Sequence, residues 1–163
     1  MLNKEITIFP QKGVLFDKVI INIGDKISNV INNIGSYDTA RKNEYYFPQD
    51  GIIHVVTDDD GIVDEIEISN DDSYAVYLEN ICISLMEREQ LINYLTRLNG
   101  GNSNVDEEDS YDFYNLRLRL WYESNIEDAQ LVIAEQKKEG IFTREDEEYE
   151  MKLANFFGSV VIY

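Results

Sequence analysis

Charge sets the first limit on what this chain can fold into. The formal net charge is −18 over 163 residues, from 32 acidic and 14 basic side chains. The negativity is uneven. Between Lys42 and Arg88 there is no lysine or arginine, yet twelve carboxylates fall there. They are Glu44, Asp50, Asp58, Asp59, Asp60, Asp64, Glu65, Glu67, Asp71, Asp72, Glu79 and Glu87. Self-repulsion at this level destabilises a compact chain, so such groups belong at turns and on outward strand faces. The same field repels nucleic acid and anionic membranes and attracts cationic partners. It also far exceeds the ~2–8 charges that solubility of a small domain asks for, which points to a compensating basic partner.

Against that repulsion stands a large apolar content. Hydrophobic residues make up 44% of the chain and aromatic residues 12%, which places it with folded proteins rather than acidic tails. At 163 residues, a single domain with its own core is expected. No apolar run approaches the ~18 residues of a membrane span. The opening Met-Leu-Asn-Lys-Glu lacks the marks of a secretory signal. One cysteine, Cys82, leaves no intramolecular disulfide and fits a reducing, cytoplasmic setting.

Periodicity divides the chain into short elements. Strands are expected at Glu5–Phe9 and Val14–Ile23, parted by Pro10 and Gly13. Ile27, Val30, Ile31 and Ile34 fall at helical spacing, with Asp25 as N-cap and Gly35 as the left-handed stop. Glu44–Phe47, Ile52–Thr57 and Ile62–Ser69 read as an antiparallel meander turned at Asp50-Gly51 and at Asp58-Asp59-Asp60-Gly61. In the third of these strands Ile62, Ile66 and Ile68 share one face, and Val63, Glu65 and Glu67 the other. Asp64 then interrupts the apolar face and must sit at a rim or find a partner.

Tyr74–Leu78 and Ile81–Ile83 add strands. Ser84 and Glu87 have capping-box spacing before a helix whose stripe is Leu91, Ile92, Leu95 and Leu98, stopped at Asn99-Gly100-Gly101. Residues 100–112 are polar and acidic and read as a mobile loop or linker. Leu116–Tyr122 alternates as a strand, with Leu116, Leu118, Leu120 and Tyr122 inward and Arg117, Arg119 and Trp121 outward. A helix over Ile126–Glu139 takes Asn125 as its cap and Gly140 as its stop. Another begins at Thr143, buries Tyr149, Leu153 and Phe156 or Phe157, and ends at Gly158. Val160–Tyr163 returns as a strand. The expected class is α+β: one antiparallel meander sheet with about four helices packed on it, a single domain over 1–163 with a mobile acidic loop around 100–112.

Catalytic chemistry finds little footing. His54, the only histidine, lies mid-strand and is expected to be structural or at a rim. One histidine and one cysteine fall short of the about three or four ligands of a zinc site. A nucleophile pair would need Cys82 and His54 to meet, with nothing local to activate the thiol. The run Asp58-Asp59-Asp60-Gly61 has its glycine too early for a calcium loop, and strand residues follow it, so it reads as a hairpin turn. With 32 acidic residues, carboxylate pairs are inevitable and carry no signal. No phosphate loop, dinucleotide fingerprint or nucleophile elbow is present. No cofactor, no metal and no enzymatic activity are expected.

Two features suit binding. The first is the acidic turn and strand carrying Asp58, Asp59, Asp60, Glu65 and Glu67. The second sets Trp121 and the aromatics Tyr111, Phe113 and Tyr114 beside Asp106, Glu107, Glu108 and Asp109. Aromatic anchors among carboxylates match what a tight inhibitor offers a basic protein. The competing reading makes those rings core and lets Arg117 and Arg119 neutralise the acidic loop.

The segments Ile21-Asn-Ile-Gly24, Val30-Ile-Asn-Asn-Ile-Gly35, Tyr45-Tyr46-Phe47, Gly51-Ile-Ile-His-Val-Val and Asp60-Gly61-Ile-Val-Asp-Glu-Ile together resemble a β–helix–β-meander unit over residues 14–70. That unit occurs in small bacterial proteins, among them immunity proteins of contact-dependent and polymorphic toxin systems. The resemblance carries over no functional residues. It implies a cytoplasmic immunity protein whose partner is a basic protein, a cognate toxin domain of nuclease type, with neither nucleic acid nor membrane as partner. The alternative is a non-catalytic regulatory or scaffold module whose acidity serves solubility. A third class, an enzyme, would require a closed, tyrosine-rich cleft holding two buried acids.

Overall fold

The structure, a computed structural model, describes residues 4–39, 41–47, 51–105, 109–140 and 142–163. In chain order, the first half holds β1 (Lys4–Phe9), β2 (Gly13–Phe16), β3 (Val19–Asn22), α1 (Ile27–Ile34), β4 (Glu44–Phe47), β5 (Ile53–Thr57), β6 (Val63–Ser69), β7 (Tyr74–Leu78) and β8 (Ile81–Cys82). The second half holds α2 (Arg88–Leu98), β9 (Asn104–Val105), β10 (Ser110–Phe113), β11 (Leu118–Trp121), α3 (Ile126–Glu139), α4 (Arg144–Asn155) and β12 (Ser159–Ile162).

The α+β class and the four helices match the sequence reading, but the strands form two sheets rather than one meander. A five-stranded sheet runs β3-β2-β1-β7-β8, and a seven-stranded sheet runs β4-β5-β6-β12-β11-β10-β9. Every pairing is antiparallel except β1 with β7. Each sheet has one apolar face, and each such face needs another to cover it. Ile6, Ile8, Val14, Ile21 and Val76 of the small sheet therefore share a core with Ile53, Val55, Ile66, Ile68, Leu118, Leu120, Val160 and Ile162 of the large one. Val30 of α1 and Leu91 and Leu95 of α2 join the same core.

Several local readings change for identifiable reasons. Val14–Ile23 is a hairpin, because Asp17 and Lys18 both adopt positive φ, of 42° and 72°. Such mirror-image turns suit strand twist, but Asp-Lys lacks the glycine or asparagine that advertises them. Opposite that turn Gly13 has φ 154°, and a Cβ there would stand 2.0 Å from the Ile21 carbonyl oxygen, so only glycine lets β2 and β3 close. In β6 the ladder slips: Val56 faces Glu65 and Thr57 faces Val63, which leaves Asp64 without an opposite residue. This bulge turns Val63 into the core with Ile66 and Ile68 and throws Asp64 into solvent, which resolves the broken apolar face.

Among the helix starts, Asp25 does not cap α1. Its carboxylate accepts the Asn22 backbone N–H at 2.8 Å, and Lys26 holds the cap position. The Ser84–Glu87 box does not form either. Ser84 is buried with its Oγ accepting the Val76 N–H at 3.2 Å, and Leu98 at the end of α2 is exposed. Asn125 caps α3 as read, and Thr143, read as the start of the next helix, is the cap of α4 in a full capping box with Asp146. Tyr149 is exposed, and Ala154 with Phe157 takes the buried place expected for it. The segment 100–112, read as loop, contributes β9 and β10, while Leu116 and Arg117 lie in the turn before β11. The last strand, β12, sits mid-sheet between β6 and β11, with all four residues buried.

A candidate partner-binding face

Strand pairing lines up one outward row across the entire large sheet. Tyr46 faces His54, His54 faces Glu67, Glu67 faces Val161, Val161 faces Arg119, and Arg119 faces Asp112, which meets Asn104 at the far edge. Beside it runs Glu44–Val56–Glu65, and on the other side Ser69–Ser159–Trp121–Ser110. Residues of β12, far along the chain, thus bring β6 carboxylates and β11 side chains onto one surface.

The row is held by its own contacts. The rings of Tyr46 and His54 stack at 4.3 Å, tilted by only 2°. Nδ1 of His54 lies 3.1 Å from Glu67 Oε2, and the Tyr46 hydroxyl donates to Glu44 Oε2 at 3.2 Å. Nε2 of His54 is buried without a hydrogen-bond partner, 3.9 Å from the Glu44 carboxylate. His54 is therefore a cross-strand link, in line with the structural role expected of it. Further along, Arg119 Nε donates to Oδ1 of buried Asp112 at 2.9 Å.

Glu65 is the exception in this set. It is half-buried, and it makes no ion pair or hydrogen bond with any other described residue. Desolvation pushes its pKa up, and the neighbouring Glu67 adds to the shift; Arg119 and His54 ease it only in part. Glu67 shifts the other way, because His54 and Ser159 hydrogen-bond its charged form. The two neighbours therefore have opposite linkage to pH. For Glu65, whose folded pKa is raised, the stability it contributes is present below the ordinary glutamate range and lost as pH rises through the raised value. For Glu67, whose folded pKa is lowered, stability is present above the ordinary range and lost as pH falls through the lowered value. Glu65→Gln should accordingly raise the urea midpoint at neutral pH, with the gain fading as acid protonates Glu65 in the native chain. A lower midpoint at neutral pH, or a difference independent of pH, would contradict this account.

The other sequence candidates scatter. Asp58 Oδ1 accepts the N–H groups of Asp60 and Ile62, each at 2.9 Å, so its carboxylate builds the β5–β6 turn. Asp59 pairs with Lys42 at 2.9 Å, and that lysine holds its pKa low. Asp60 is exposed at the turn tip. Asp106, Glu107 and Glu108 lie outside the described residues. Asp109 forms an ion pair with Arg88 and accepts from Asn125 Nδ2 at 3.1 Å, which removes it from the outward surface. Trp121 is outward and 41% exposed, its ring laid over Gly158. The structure thus brings Glu65, Glu67 and Trp121 onto one face and separates Asp109 from them. Of the aromatics near Asp109, Phe113 is core, Tyr111 touches Arg88, and Tyr114 is exposed.

Comparison with protein-family models, curated proteins and solved structures found no match to this chain.

Sequence reasoning left out Glu44, Tyr46, Arg119 and Asp112 as members of this face. The outward parity of Glu44, Tyr46 and Arg119 is visible in their strands, whereas Asp112 falls in a segment that reads as loop, and the register that joins all four depends on β12 entering the sheet. As to chemistry, Cys82 on β8 and His54 on β5 belong to different sheets. Among the described residues, no group of three or more His, Cys, Asp or Glu is placed to hold a metal ion, and no helix is long and apolar enough to cross a membrane. What the face offers is an acidic, aromatic-bordered sheet surface, closed over β12, with one half-buried carboxylate that Arg119 and His54 offset only in part.

Proposed function

We propose that this protein is a non-catalytic, cytoplasmic immunity protein that docks a basic toxin domain, of nuclease type, on the outward face of its large sheet and blocks that domain's substrate site. The observation that carries the proposal is Glu65, a half-buried carboxylate that forms no ion pair with any described residue and that Arg119 and His54 offset only in part, on a face shared with Glu67 and Trp121. A lysine or arginine from a partner would relieve its raised pKa and pair with it in a partly desolvated setting, where charge pairs count most. A nuclease cleft is cationic because it binds phosphates, so carboxylates compete for the same groups. The net charge of −18 would steer such a partner, with association approaching ~10⁸–10⁹ M⁻¹s⁻¹ at low salt.

One finding favours the regulatory or scaffold alternative. Asp58, Asp59, Glu67 and Asp109 are engaged within the molecule, which leaves fewer free carboxylates than the raw count promised. The two readings part on salt and on growth. Capture the partner from native lysate by cross-linking, then express it alone and together with this protein. The inhibitor reading expects growth arrest from the partner alone, relief on co-expression, and binding that weakens steeply with ionic strength. Glu65→Lys should slow association tenfold or more; an unchanged rate removes this face from the interface. A harmless partner bound with flat salt dependence would favour the scaffold module.

A further inference from the structure

We infer that the outward face of the five-stranded sheet is a self-association surface that takes a second copy of this chain. It is separate from the proposed partner face, which lies on the other sheet. Strand register places Ile20, Leu15, Thr7, Tyr77 and Cys82 side by side, one from each of the five strands. Their in-chain neighbours Ile21, Val14, Ile6, Ile8 and Val76 point into the core, so this row points out. None of the five is charged. Ile20 is 55% exposed and the other four are half-buried, so the row is open to solvent. Next to it lies a shallow depression of about 370 Å³ bordered by Glu5, Asp17 and Lys18.

Charge selects the occupant. Over β1–β3 and β7–β8, with their turns, Lys4, Lys12 and Lys18 balance Glu5, Asp17 and Glu79, so the sheet is neutral in a molecule of net −18. A basic partner is drawn to the acidic remainder. Another copy, itself at −18, can approach closely only where local charge vanishes. The rim carries both signs, so a two-fold axis can set Lys18 of one copy against Asp17 or Glu5 of the other. Strand spacing of ~4.8 Å and rise of ~3.3 Å per residue give this face roughly 400 Å² per copy, or roughly 800 Å² in total. That is below the about 1,200 Å² of a standard stable interface, so the dimer is weak and concentration-dependent.

Salt gives the test its sign. Sedimentation velocity over a concentration series should show a dimer fraction that grows with protein concentration and grows further with sodium chloride. Screening shortens the reach of the −18 repulsion from about 10 Å at 0.1 M to about 3 Å at 1 M. Partner binding on the acidic face must respond to salt in the opposite direction, so the two proposals fail separately. Ile20→Lys and, independently, Thr7→Lys should each weaken the dimer tenfold or more while circular dichroism stays native. Glu65→Lys on the other sheet should leave it unchanged. A monomer at every salt and concentration, a dimer that weakens with salt, or a dimer indifferent to both lysine substitutions in folded protein would each overturn the inference.

Discussion

Arg88→Met is expected to remove about 3–5 kcal/mol of stability, a large part of the about 5–15 kcal/mol that holds a typical domain together. Arg88 stands at the first position of α2 with its side chain only 12% exposed. Nη1 donates to the carbonyls of Ser124 at 2.8 Å and Ala154 at 3.4 Å, while Nη2 donates to Asp109 and, at 3.2 Å, to the Tyr111 hydroxyl. The guanidinium also lies 4.3 Å from the centre of the Tyr122 ring. One side chain thus ties the start of α2 to the approach to β10, the residue before the α3 cap, and the last turn of α4. Methionine keeps most of the stem's volume but donates nothing. It leaves Asp109 partly buried without its cation and strips donors from two carbonyls. A buried ion pair is weak grounds for claiming net stability, but removing one member is costly because the other stays behind. Urea unfolding of Arg88→Met, Asp109→Asn and the double variant measures this directly. The double variant should lose less than the sum of the two single losses. A loss below about 1 kcal/mol for Arg88→Met would mean the guanidinium is held loosely and does not organise this end of the molecule.

How far the sequence discloses this structure depends on the range of the forces involved. The stripe of Ile27, Val30, Ile31 and Ile34, the Asn125 and Thr143 caps, and the Asp58–Gly61 turn are settled by residues within a few positions of one another, and all of them are legible. The Asp17-Lys18 turn is equally local, yet it uses residues that carry no turn signature, and its strain is imposed by the β2–β3 pairing. Pairing partners are another matter. Nothing near Ser159–Ile162 says that this strand enters between β6 and β11, because what selects the slot is two half-sheets with unsatisfied edges. The candidate site inherits that difficulty. Charge counting finds Glu65 and Glu67, but it cannot separate them from Asp109, whose carboxylate is matched by an arginine 21 positions earlier in the chain. Counting also overstates Asp58, although an aspartate three residues before a glycine at a tight turn is a familiar backbone acceptor.

Val160→Asp carries the largest expected effect: loss of the native state at neutral pH. Val160 is fully buried on the inward face of β12, opposite Ile68 of β6 and Leu120 of β11. An aspartate there would be enclosed in the apolar core, and an unpaired carboxylate in such surroundings must take up a proton or open the structure. Opening is the easier course, because β12 is the only described strand joining the β4-β5-β6 half of the sheet to the β11-β10-β9 half. The cost should exceed about 4–5 kcal/mol, a range reached by only a few mechanisms, buried unpaired charge among them. Amide resonances collapsed toward random-coil positions and loss of a cooperative urea transition would report it. Val161→Thr serves as the contrast, since Val161 belongs to the opposite face, between Glu67 and Arg119. Val161 is buried too, but a hydroxyl there lies between polar side chains, so this variant should stay folded and lose no more than about 1–2 kcal/mol. Two adjacent residues of one strand then differ by the whole fold, as inward and outward positions at the centre of a sheet must. If Val160→Asp instead keeps a native spectrum, β12 does not lie between β6 and β11. The outward face that aligns Glu65 and Glu67 with Arg119 and Trp121 would then not exist as a surface.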